Sequence, residues 1–91
     1  MNAKQISKII EIESRVNTII KCLILGEVDH MQVEYCNDDV CIKAFSHSKA
    51  QSKKLGDLMR IWANPNDEMN SNALSYDGKP FWTDSLLISI R

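Results

Sequence analysis

Four of the five cysteines and histidines, His30, Cys36, Cys41 and His47, fall between residues 30 and 47 of this chain; Cys22 is the fifth. Thiolate and imidazole ligands would suit zinc. The spacing argues against it. Cys36-x4-Cys41-x5-His47 does not make a knuckle. On an extended strand, His30 and Cys36 stand about 20 Å apart, beyond the reach of one ion. No metal ligands are expected. Cys41 with His47 or His30 is the one nucleophile–base arrangement worth naming. The chain contains no G-x-S-x-G, no glycine-rich phosphate loop and no H-E-x-x-H. Neither catalytic residues nor a cofactor are expected, and the chemistry of this chain should be that of binding.

Charge placement says where. Residues 25–42 carry Glu27, Asp29, Glu34, Asp38 and Asp39 without a Lys or Arg. Residues 43–60 carry Lys43, Lys49, Lys53, Lys54 and Arg60 against Asp57 alone. A net charge of -1 therefore hides a surface of two signs, a physical basis for recognising a charged partner. Lys49 and Lys53 are four apart and share a helix face, with Lys54 nearby. Cations in the first turns of a helix oppose its dipole at about 0.3–1 kcal/mol each. Glu or Gln would solvate equally well there, so the cluster implies use. Lys43, Lys49, Lys53, Lys54 and Arg60 are the candidate partner-binding residues. Trp82, in the segment Lys79–Thr83, is the candidate aromatic anchor. A basic helix, with Phe45, Tyr76, Phe81 and Trp82 as stacking groups, could also hold phosphates and stack on bases. The pI of 6.1 is low for a dedicated nucleic-acid domain.

These residues need elements to position them. Asn2-x-x-Gln5 is a capping box ahead of Ile9, Ile12, Val16, Ile19 and Leu23 at 3-4-3-4 spacing. The pattern predicts an amphipathic helix over about 3–24, ended by Gly26 at the C′ position. Its apolar face, widened by Ile6, Ile10, Ile20 and Ile24, exceeds what one small sheet needs. The helix could therefore also pair with a second copy of the chain.

Residues 28–36 and 39–45 alternate in period two around Asn37-Asp38. That two-residue turn would set Tyr35 against Val40, Val33 against Ile42 and Met31 against Ala44, with every apolar residue on one face. Ser46 or Ser48 should start a second helix running to about Ala63, with Gly56 weakening it. Asn64-Pro65 reads as a stop and a restart, predicting a short helix over about 65–73. Asp77-Gly78 reads as a tight turn. Pro80 would confine any strand beginning there to an edge. Leu86–Ile90 reads as a terminal strand.

The 91 residues suffice for a single domain, 1–91, and the expected fold class is α+β. A long N-terminal helix and a second helix should pack on one face of a small antiparallel or mixed sheet, in the order α-β-β-α-(α)-(β)-β. No apolar run approaches the roughly 18 residues of a membrane span. The cysteines read as reduced thiols, and the expected location is the cytoplasm. The expected function is a small non-catalytic protein that binds another macromolecule, most readily a protein. An inhibitor or regulator of the phage or mobile-element type, an anti-CRISPR protein for example, would fit. A nucleic-acid-binding regulator using the basic helix 48–60 is the alternative.

Overall fold

A computed structural model describes residues 2–89. Two helices and four strands follow in the order α1 (Ala3–Leu25), β1 (His30–Tyr35), β2 (Asp39–Ser46), α2 (Lys49–Arg60), β3 (Glu68–Tyr76) and β4 (Lys79–Ser89). The strands form one antiparallel sheet in the order β1-β2-β4-β3. The fold is α+β, as the patterning implies. No described helix is long and apolar enough to cross a membrane.

Helix α1 starts as its sequence directs. The Asn2 side chain accepts from the Gln5 backbone N–H, and the Gln5 side chain accepts from that of Asn2. Ile12, Val16, Ile19 and Leu23 are its buried stripe. Gly26 ends the helix, but in an ordinary conformation, φ −79°; the left-handed residue is Glu27, φ 61°. Gly26 is needed for proximity instead. A Cβ there would stand 2.8 Å from Leu58 Cδ1 and 3.2 Å from the Cys22 carbonyl oxygen. The two helices touch where that side chain is missing.

The first hairpin adopts the register read from alternation: Met31 opposite Ala44, Val33 opposite Ile42 and Tyr35 opposite Val40. Asn37 and Asp38 make the turn, closed by the Cys36 N–H donating to the Asp39 carbonyl at 2.8 Å. Val40, Ile42 and Ala44 are fully buried beneath the helices and pair on their other side with Ile88, Leu86 and Asp84. Leu55 and Met59 of α2 complete the core. Both helices lie on this face; the opposite face of the sheet carries Lys43, Phe45 and His30, the last two rings 5.4 Å apart.

Two expectations fail. The helix expected over 65–73 is replaced by a tight turn and strand β3. Asp67 bends the turn. Its carboxylate accepts from the Asn64 N–H at 2.8 Å and pairs with Arg15 of α1. Arg15 also donates to the Trp62 carbonyl at 2.9 Å. The segment is thus pinned sideways onto α1, and residues 68–76 become the outer partner that β4 requires. Pro80 does not mark an edge either, because β4 is a central strand. Pairing with β2 begins only at Trp82, opposite Ser46, so Pro80, paired with Ser75 of β3, lies beyond the end of β2 and its missing N–H costs no bond to that strand. Asp77 and Gly78, at φ 53° and 76°, form the tight hairpin turn joining β3 to β4. Ile90, expected to continue the last strand, lies outside the described residues.

Candidate functional site

Helix α2 lies over β2 and β4 and leaves the inner face of the β3–β4 hairpin partly open. The result is a solvent-open cleft of about 590 Å³. Its wall is one stripe of α2: Lys49, Lys53, Gly56 and Arg60, spaced four, three and four residues apart, with Asp57 beside them. Trp82 of β4 faces that wall, and Ser71 of β3 and Asp84 of β4 lie at the floor.

The start of α2 is set locally. Ser48 is the N-cap, its hydroxyl accepting from the Gln51 N–H at 3.0 Å. The reciprocal half of a capping box is not made, because the Gln51 side chain donates instead to the Glu27 carbonyl. That contact ties the start of α2 to the end of α1. The first turn contains no acid to meet the helix dipole, and it contains Lys49.

Asp84 is the least expected group here. It is 2% exposed. Ser52 Oγ donates to its Oδ2 at 2.5 Å, and Ser71 Oγ donates to its Oδ1 at 2.6 Å. The carboxylate thereby joins α2, β4 and β3. Both donors are neutral, and no Lys or Arg among the described residues forms an ion pair with it. A buried carboxylate held only by hydroxyls is a costly arrangement. The cleft thus has an anionic floor beneath a cationic rim. No family model matches the chain, and comparison with curated proteins finds no relative.

Of the residues singled out by charge, the structure brings Lys49, Lys53, Arg60 and Trp82 together around the cleft. Lys54 lies outside the cleft, in a neighbouring, more open depression with Ala50, Lys53, Asp57, Leu58 and Ile61, so that Lys53 and Asp57 border both. Lys43 lies on the far face of the sheet, its ammonium 3.9 Å from Glu34 Oε1. Arg60 is 3.7 Å from Asp57 Oδ1, an exposed pair along the same helix. His47 and Phe81 line a separate apolar hollow with Lys79 and Pro80. The acid on the floor carried a weak signal in the sequence: Asp84 breaks an otherwise extended run at a position whose period-two neighbours, Leu86 and Ile88, are apolar.

The thiols lie apart from this site. Cys36 is exposed, and Cys22 and Cys41 are half-buried; none is paired. Burial pushes the Cys41 thiol above its ordinary pKa, with the Lys43 ammonium opposing that shift.

Proposed function

We propose that this protein is a non-catalytic binder of another protein, and that it grips an acidic segment of its partner in the α2–β4 cleft. The observation that carries this reading is the convergence of Lys49, Lys53 and Arg60 on one stripe of α2 facing Trp82. Carboxylates of the partner would meet the three cations and relieve the dipole penalty at Lys49. An apolar side chain between them would pack on Trp82. Asp57 and Asp84 line the same cleft and would confine the partner's carboxylates to the cations at its rim. Small size and a two-signed surface suit an inhibitor or regulator of the phage or mobile-element type, such as an anti-CRISPR protein. The second reading, a nucleic-acid-binding regulator using helix 48–60, draws its support from Trp82 standing beside three cations, an arrangement that could stack a base and hold its phosphate.

Capture of partners from a native-host lysate, followed by mass spectrometry, tests both. The bait is the wild type, a Lys49→Gln/Lys53→Gln/Arg60→Gln variant, or the Lys43→Gln control, whose change is on the far face. Protein captured by wild type and control, lost with the triple variant and weakened by salt, supports the cleft reading. Undiminished capture by the triple variant overturns it. If single-stranded oligonucleotides bind the wild type but not the triple variant in fluorescence polarisation, the nucleic-acid reading takes its place.

A further inference from the structure

The rim and the floor of the cleft demand opposite things of an occupant. At the rim, Lys49, Lys53 and Arg60 offer donors and positive charge. At the floor, Asp84 is 2% exposed and accepts from both Ser52 Oγ and Ser71 Oγ. A serine hydroxyl has a single hydrogen to give. In both serines it is committed to the carboxylate, so each oxygen can only accept from anything else. Ser52 is buried, but Ser71 is exposed and lines the cleft. Ser71 therefore stands between a buried negative charge and open solvent, its oxygen polarised by the carboxylate behind it. Asp84 has no cation of its own among the described residues. Two neutral hydroxyls fill about half of the roughly four acceptor sites of a carboxylate. The floor is an acceptor-only surface backed by an uncompensated charge.

Its position along the cationic wall is fixed by Gly56. The missing Cβ of Gly56 would stand 3.2 Å from Asp84 Oδ1, so this turn of α2 lies over the carboxylate. Lys53 comes three residues before Gly56 and Arg60 four after it. Those two are about 10 Å apart along the helix axis. The negative floor thus underlies the middle of the span between two cations. Ser71 is the cross-strand partner of Asp84. Trp82 precedes Asp84 by two residues on the same face of β4, about 7 Å away.

We propose that the cleft selects an arginine carried between two acids, in an extended partner segment of the pattern acid-x-Arg-x-acid. The inference rests on the reading that the cleft grips an acidic segment of a partner protein, and it names what else that segment contains. In an extended chain, side chains two residues apart share a face and stand about 7 Å apart. The two acids, about 13 Å apart, meet Lys53 and Arg60, whose long side chains absorb the difference of about 3 Å. The arginine between them reaches the floor. Its guanidinium donates to Ser71 Oγ, and its plane lies on the Trp82 indole. The apolar contact on Trp82 is then the arginine's own stem. A planar fork of donors can bond an acceptor and stack at once, which an ammonium cannot. Repulsion from the rim is offset because the flanking acids arrive on the same segment. A segment with acids alone would set carboxylates over Asp84 and leave its charge unpaired.

Two blocked peptides test this: Ser-Glu-Ser-Arg-Ser-Glu-Ser, and the same peptide with citrulline, the neutral isostere of arginine, at its centre. Each is titrated into isotope-labelled protein and followed by NMR at the Gly56 and Ser71 amides and the Trp82 indole. The citrulline peptide carries more net negative charge, so attraction to the cations alone would favour it. The arginine peptide should instead bind about tenfold tighter or more. Ser71→Ala and Asp84→Asn should each abolish that preference, and Lys49→Gln/Lys53→Gln/Arg60→Gln should weaken both peptides. If the two peptides bind the wild type alike, or citrulline binds tighter, the arginine inference fails while the acidic-segment reading stands. If neither peptide shifts these signals, both fail together. An arginine preference that survives in Ser71→Ala and in Asp84→Asn, each with the melting temperature of a folded chain, also overturns the inference. The peptide comparison needs only the wild type, so it decides the matter even where a variant does not fold.

Discussion

A side chain at position 56 would crowd Asp84: an ideal Cβ on Gly56 stands 3.2 Å from Oδ1, closer than such contacts usually come, and 3.7 Å from Cγ. Glycine inside a helix costs about 1 kcal/mol relative to alanine. Here the cost is offset by letting α2 approach a carboxylate that Ser52 and Ser71 hold in place. Gly56→Ala should therefore fail to stabilise the protein, because Asp84 cannot yield without stretching both hydrogen bonds. In an Asp84→Ala background the same substitution should recover about 1 kcal/mol, and the thermodynamic cycle should show coupling above about 0.5 kcal/mol. A full gain from Gly56→Ala alone, measured by urea denaturation, would rule out the contact as the reason for the glycine.

Ile42 is fully buried and sits between Val33 on β1 and Leu86 on β4. Ile42→Ala should cost about 2–5 kcal/mol, a large share of the stability of so small a domain. Lys43→Ala, one residue along and on the opposite face, should change it by less than about 0.5 kcal/mol. Chemical denaturation of the two variants checks the register. Equal losses would contradict it.

Arg15 and Asp67 link α1 to the turn ahead of β3, and the Asp67 side chain is only 3% exposed. Removing Arg15 leaves that carboxylate buried without its cation. Arg15→Ala should then cost about 3 kcal/mol, and the Arg15→Ala/Asp67→Ala double variant much less than the sum of the singles. The exposed Arg60–Asp57 pair is the comparison. Arg60→Ala should fall within about 0.5 kcal/mol of wild type. If the two arginines cost the same, the turn is not anchored through Arg15.

Local chemistry determined much of this protein directly from its sequence. The extent of α1, the Asn37-Asp38 hairpin and its register, the Ser48 cap of α2 and the Asp77-Gly78 turn all follow from residues within a few positions of one another. Capping, periodicity and turn geometry act over that range. Where a distant partner intervened, the sequence misled. Asn64-Pro65-Asn66-Asp67 has the composition of a helix start, but Arg15, far off in the chain, captures Asp67 and turns the segment into the approach to a strand. Pro80 has the composition of an edge, but where β2 ends decides whether its lost donor matters.

The candidate site divides the same way. Helical periodicity alone put Lys49 and Lys53 on a common face, and the charge run drew attention to them. Only the folded chain could show that Lys43 belongs to the opposite face of the sheet, that Trp82 stands across from Lys49, Lys53 and Arg60, and that Asp84 lies beneath them between two serines. Those relations join α2 to the β3–β4 hairpin. They depend on which strand lies beside which, and no residue-by-residue preference encodes that order, because it is the shared burial of Ile42, Leu55, Met59 and Leu86 that selects it.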